Sequence, residues 1–155
     1  MQLGQIFKAE FINDNLLARN KDGALAELVN TIIQGGLKLD YSSIIKILKQ
    51  RENLGSTGIG EGVAIPHGKI SELDGIVVAF GRSIGGIPYD SLDGKPVHLF
   101  FLLLAPENSS GQHLKILAKI SKILKDVDFR RKLLEAKSQS DLYKIILDQE
   151  NVCTT

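Results

Sequence analysis

Residues 55–68, reading GSTGIGEGVAIPHG, hold five of the 15 glycines in the chain. Regular helix and central strand both resist that density, because glycine loses the most backbone freedom on ordering and offers no side chain to pack. The stretch is therefore a shaped loop, and the remainder of the chain must fold around it. Gly55, Gly58, Gly60 and Gly62 permit positive φ and close approach to the main chain, so the N–H groups of Ser56, Thr57, Gly58, Ile59 and Gly60 can turn toward one anion. Val63, Ala64 and Ile65 follow, with β-branched content that suits a strand. Pro66 lacks an N–H and pushes Ile65 toward extended geometry, which predicts that the strand stops there and presents His67 at its end. A neutral imidazole attacks an electrophile without a separate base when its other nitrogen holds a fixed proton. His67 beside a glycine-lined anion site thus has the chemistry of a phosphoryl acceptor.

Two familiar phosphate-binding loops do not fit. A dinucleotide fingerprint framed on Gly58 and Gly60 finds Val63 where its third glycine belongs. A Walker A loop fails on spacing between Gly62 and Gly68, and again because Ile70 follows Lys69. A zinc hydrolase built on His67, His98 and His113 with Glu61 is disfavoured, since no close histidine pair such as H-x-x-x-H occurs.

Periodicity predicts the surroundings of the loop. Residues 21–34 carry Leu25, Leu28, Val29, Ile32 and Ile33 at the spacing of one helical stripe, closed by Gly35 and Gly36. Asp40 caps a second helix over 41–52, with Tyr41, Ile44, Ile45 and Leu48 on one face. Arg51 falls in its last turn, where a cation is favoured by the macrodipole, and Glu52 reads as surface. Residues 76–80 and 97–104 read as buried strands of one sheet, with turn signals at Gly85, Gly86, Asp93 and Gly94 between them. A helix from Ser109–Ser110 to about residue 125 puts Leu117, Ile120 and Leu124 on one stripe, with His113 in its first turn. Helices over 129–136, capped by Asp128, and 141–148, capped by Ser140, follow. The tail from Gln149 shows no apolar period and reads as frayed. His98 reads as a packed or edge residue outside the site.

The run RENLGSTGIGEGVAIPHG, residues 51–68, resembles the phosphorylation-site signature of the fructose/mannitol-type (type 2) EIIA domains of the phosphotransferase system and of their nitrogen-regulatory relatives. The segments PVHLFFLLLAP, residues 96–106, and QHLKILA, residues 112–118, resemble further parts of that family. The resemblance implies one domain over residues 1–155, an α/β three-layer sandwich with a mixed sheet and helices on both faces; buried apolar strands with amphipathic helices support the same class independently. It implies that His67 accepts phosphate from an HPr-like carrier, as a phosphohistidine-based phosphotransferase component without cofactor or metal. Arg51 and His113 would then lie beside His67, with the guanidinium gripping phosphate oxygens bidentately. The hydroxyls of Ser56 and Thr57 are phosphate donors or simple turn formers. The motif is nearer the nitrogen-regulatory type, whose partners are regulatory target proteins; the alternative is a sugar-specific EIIA that feeds an EIIB.

Composition agrees with these expectations. A net charge of +1 gives no electrostatic case for nucleic acid. Cys153 is the sole cysteine, so an intramolecular disulfide is excluded and a reducing compartment is compatible. Residues 1–8 lack the basic start and apolar core of a signal peptide, and the longest apolar run, residues 99–106, is too short for a membrane span. These features predict a cytoplasmic protein without membrane insertion.

Overall fold

The computed structural model describes residues 1–154. Nine consecutive residues of strand β6 (Val97–Ala105) form the axis of the sheet; eight of the nine are apolar, and the seven from Leu99 onward run without interruption. Strand side chains alternate between faces, so an uninterrupted apolar run must be covered on both sides. Leu99, Phe101 and Leu103 enter one core, while Phe100, Leu102 and Leu104 enter another on the opposite face. The first core is closed by α3 (Ser110–Ile123), α4 (Val127–Glu135) and α5 (Gln139–Thr154), through Ile116, Ile120, Phe129, Leu133, Leu142 and Ile146. The second is closed by α1 (Lys21–Gln34) and α2 (Tyr41–Asn53), through Leu25, Leu28, Ile32, Ile44 and Leu48. The expected three-layer α/β sandwich is the observed architecture.

The sheet is mixed. From one edge its strands run β1 (Ile12–Asn13), β5 (Val77–Ile87), β6, β3 (Val63–Ala64) and β2 (Gly58–Gly60), and β4 (His67–Lys69) also pairs with β6. β5 is antiparallel to β6, whereas β1 on β5, and β3 and β4 on β6, are parallel. β5 continues through Gly85 and Gly86 to Ile87, with a register shift on the way, where the sequence reads a turn.

Strand β3 stops before Pro66, as expected, but pairing with β6 resumes directly after it in β4. Val63 lies opposite Leu99 and His67 opposite Leu103 in one unbroken register, and the Pro66 carbonyl accepts from Leu103 N at 3.0 Å. Proline removes one donor while its carbonyl still pairs, so His67 is the first residue of β4 and is paired within the sheet rather than projecting beyond it.

Helix ends follow from local chemistry. Asn20 and Asp40 side chains accept from Gly23 N and Ser43 N, capping α1 and α2. α4 is capped by Asp126 rather than Asp128, because the Asp126 carboxylate reaches both Asp128 N and Phe129 N. α5 begins at Gln139, two residues before the expected start, with Ser138 Oγ accepting from Asp141 N. It also extends past Asp148: Glu150 is buried, and its carboxylate accepts from Leu3 N at 2.8 and 3.0 Å and from Lys119 Nζ at 2.7 Å. The expected fraying is overturned by these long-range partners. Among the described residues no helix is long and apolar enough to cross a membrane.

Candidate functional site

His67 is held by three elements that converge on one edge of the sheet. Residues 63, 65 and 67 share a face of the extended chain, and Val63 and Ile65 belong to the core under α3, so His67 is turned toward α3. There it meets His113, with ring centroids 5.5 Å apart and planes at 74°. Gly68 points the other way, toward α2: a methyl group there would lie 2.8 Å from Ile47 Cγ2. Glycine at 68 is thus what allows α2 to close on β4 and bring its last turn, with Arg51, around to the histidine.

The contacts of His67 define its tautomer. Nδ1 lies 2.8 Å from the Ile65 carbonyl, which can only accept, so Nδ1 carries the proton. Nε2 is left with its lone pair and receives the Arg51 Nε–H at 3.3 Å. Arg51 is itself held by a 2.9 Å bond from a terminal guanidinium nitrogen to the Gly55 carbonyl. Burial lowers the pKa of His67 from its ordinary value; the bond to Ile65 opposes this and the Arg51 charge reinforces it. A neutral imidazole with a fixed Nδ1 proton and an outward Nε2 lone pair is a nucleophile at neutral pH.

His113 is only 5% exposed, although a histidine in the first turn of a surface helix reads as solvated. Its Nδ1 is buried without a hydrogen-bond partner among the described residues. Desolvation lowers its pKa, and the nearby His67 and Lys69 act in the same direction. Both rings open on a cleft of about 430 Å³ walled by Arg51, Lys69, Ser110 and the apolar Ile47, Leu54, Leu114 and Leu117.

Lys69 and Ser110 also reach the cleft, although neither is expected there from the sequence. Lys69 Nζ donates to Ser110 Oγ at 2.6 Å across the mouth of the cleft. The signal for Lys69 was its spacing: two residues beyond His67 in a strand is the same face. Ser110 depends on where α3 lands and had no local signal.

The glycine loop lies beside the cleft and is bonded largely within the protein. None of Ser56, Thr57, Gly58, Ile59 and Gly60 lines the cleft. Thr57 is buried, and both its N–H, at 3.1 Å, and its hydroxyl bond to the Glu52 carboxylate. Ser56 Oγ donates to the Tyr89 carbonyl at 2.7 Å and accepts from Gly58 N at 3.0 Å. Gly58 and Gly60 pair with β3, and Ile59 projects to solvent. The amides of Thr57 and Gly58 are therefore already satisfied within the protein, and the Gly55 carbonyl of the same loop holds Arg51. Glu52, read as surface, is buried beneath it.

His98 is half-buried, with Nδ1 bonded to the Ser83 carbonyl at 2.9 Å, and takes no part in the cleft. Among the described residues no three His, Cys, Asp or Glu side chains are grouped closely enough to hold a metal ion.

Residues 5–149 match the family model described as phosphoenolpyruvate-dependent sugar phosphotransferase system, EIIA 2. The chain belongs to this EIIA type-2 family. It is 36% identical over 152 residues to a nitrogen regulatory protein of Escherichia coli K12, covering 97% of this chain and 92% of that protein. It is also 36% identical over 146 residues to a fructose-specific EIIABC component of Bacillus subtilis, covering 94% of this chain and only 23% of that longer protein. Among solved structures, the nitrogen regulatory protein IIA-Ntr of Neisseria meningitidis superimposes with a TM-score of 0.86 at 33% identity, over 93% of this chain and 98% of the other.

Proposed function

We propose that this EIIA protein is a phosphocarrier of the regulatory, nitrogen type, which takes a phosphoryl group onto His67 from the phosphohistidine of an HPr-like carrier. The observation that carries this reading is the bond from His67 Nδ1 to the Ile65 carbonyl, which leaves Nε2 as the free lone pair facing Arg51. In the transfer, the P–N bond to the donor imidazole breaks as a P–N bond to Nε2 forms; the donor ring, protonated at its other nitrogen, leaves as a neutral imidazole, and the His67 proton stays on Nδ1, donated to the Ile65 carbonyl. Donor and acceptor bonds are alike, so the protein need mainly align them and offset charge. Arg51 must leave the Nε2 lone pair as the phosphorus approaches, and its guanidinium then has phosphate oxygens to bind. Lys69 adds a second cation at the cleft mouth, and His113 a second ring beside the acceptor. The apolar Leu54 and Leu114 are well exposed beside the cleft and suit docking of a carrier protein.

The nitrogen assignment is supported by relatives and a solved structure that match over nearly the whole of both chains. Phosphorylation places a substantial negative charge in a cleft walled by two cations and apolar side chains, which changes the partners that fit. Regulatory target proteins are read as those partners. The sugar-uptake reading, in which phosphate passes on to an EIIB, draws support from the Bacillus fructose component at the same 36% identity.

Incubation with a phosphorylated HPr-like carrier tests the acceptor. Label is expected on His67 alone, acid-labile and base-stable, and absent from His67→Ala; undiminished labelling of that variant would remove the central claim. Efficient onward transfer to a fructose- or mannitol-type EIIB would overturn the regulatory assignment.

A further inference from the structure

A buried carboxylate one residue beyond Arg51 takes no part in the transfer as described. The Glu52 side chain is 5% exposed and gathers four donors: Thr57 N at 3.1 Å, the Thr57 hydroxyl, Tyr89 OH at 3.1 Å and Lys21 Nζ at 2.9 Å. These come from three separated parts of the chain, the start of α1, the glycine loop and the segment after β5. Taking a carboxylate out of water is costly unless its acceptor positions are filled, and here they are. The Lys21 ammonium also lies 4.7 Å from the Tyr89 ring centroid, so lysine, tyrosine and carboxylate form one closed group.

The bonds from Thr57 close residues 52–57 into a short ring at the end of α2. Within that ring stands Gly55, at φ +148°, whose carbonyl accepts from the Arg51 guanidinium at 2.9 Å. With that nitrogen tied back, the Arg51 Nε–H points at His67 Nε2. We infer that Glu52 is a positioning residue for phosphoryl transfer: by closing the 52–57 loop it fixes the Gly55 carbonyl, and through it the guanidinium that faces the acceptor nitrogen. Thr57 and Tyr89 are members of the same device. Each link is a hydrogen bond, whereas direct contact of Glu52 with the phosphate is precluded by its position beneath the loop.

The inference rests on the phosphocarrier reading for its kinetic consequence only; the geometric link from Glu52 to Arg51 stands without it. Glu52→Gln retains an acceptor for Thr57 but removes the charge that faces Lys21, and Glu52→Ala removes both. The test combines two measurements on folded protein: the Arg51 Nε–H and His67 ring-nitrogen signals in ¹⁵N NMR of the unphosphorylated state, and the rate of phosphoryl transfer from a phosphorylated HPr-like carrier. In Glu52→Ala the Arg51 Nε–H signal is expected to shift and lose exchange protection. Transfer at saturating donor should slow by about tenfold or more, since a displacement near 1 Å of an aligning group costs on the order of a hundredfold. KM for the donor should change little, and Glu52→Gln should recover part of the rate. Thr57→Val and Tyr89→Phe each remove fewer bonds and should move the Arg51 signal in the same direction by less; they carry the test if Glu52→Ala does not fold. A purely structural role would lower the melting temperature yet leave the Arg51 signal and the rate of the folded protein at wild-type values, and that result overturns the inference. If wild-type protein takes no phosphate, the phosphocarrier reading fails, and the NMR measurements still decide whether Glu52 orients Arg51.

Discussion

Replacing Arg51 by lysine keeps the charge at the cleft and removes the fork. In the protein as it stands, the guanidinium spans two acceptors, the Gly55 carbonyl at 2.9 Å and His67 Nε2 at 3.3 Å. A lysine ammonium is a point donor on a flexible stem and cannot hold the planar geometry that both contacts and two phosphate oxygens share. The bond to Nε2 is long, so little is lost when Arg51 turns from the nitrogen to the phosphate. What Arg51→Lys forfeits is at least one charge-assisted bond in the transition state. Such a bond is worth about 1.5–3 kcal/mol, which at roughly 1.4 kcal/mol per factor of ten corresponds to transfer slowed by about ten- to 150-fold. Arg51→Ala, which also removes the charge, should fall further, toward the roughly hundred- to thousandfold loss seen when a preorganised donor to a developing charge is deleted. The assay is rapid-quench measurement of label arriving on His67 from a phosphorylated carrier at saturating donor, with melting curves to show that the variant is folded. A folded Arg51→Lys that transfers at the wild-type rate would refute the argument, since it would mean that the planar fork has no part in the reaction.

Three further outcomes follow from other parts of the structure. His113→Ala should slow transfer, because the ring stands 5.5 Å from that of His67 in the cleft, whereas His98→Ala, remote from the cleft, should leave the same rate unchanged. Both cleft histidines have pKa values lowered by burial, so the unfolded chain binds more protons than the folded one below its own histidine pKa of about 6.5. Stability should therefore be full above that pH and decline as pH falls through the lowered folded values; urea unfolding at a series of pH values checks this, and a His67→Gln, His113→Gln double variant should show a flatter profile. Glu150→Ala leaves Leu3 N without its acceptor and Lys119 without its partner, and should cost about 1–3 kcal/mol in equilibrium urea unfolding; an unchanged unfolding curve would restore the frayed-tail reading.

Much of the molecule was legible in local pattern. α1 was bounded at residues 21 and 34 from its stripe, its polar start and the Gly35–Gly36 pair, and the apolar runs at 76–80 and 97–104 announced strands buried on both faces. These features encode themselves within a few residues, because helix and strand periods repeat along the chain and buried faces must be apolar wherever they end up. His67 was singled out in the same way, by glycine, proline and strand chemistry within one stretch.

Tertiary structure decided what those residues touch. Ser56, Thr57 and Gly58 had the composition of a phosphate cradle, but Glu52 and Ser56 side chains reached two of the amides first. Pro66 read as a stop, and parallel pairing with β6 carried the chain past it, since a single missing donor is tolerated where the carbonyls still pair. The tail from Gln149 had no apolar stripe, and Glu150 is nonetheless held by a backbone N–H 147 residues earlier in the chain. Arg51 and His113 are 62 positions apart in chain numbering and approach His67 from helices on opposite faces of the sheet. A sequence determines which groups can donate, accept or hide from water; which of them meet depends on packing that brings distant segments within about 3 Å, the range over which a hydrogen bond acts.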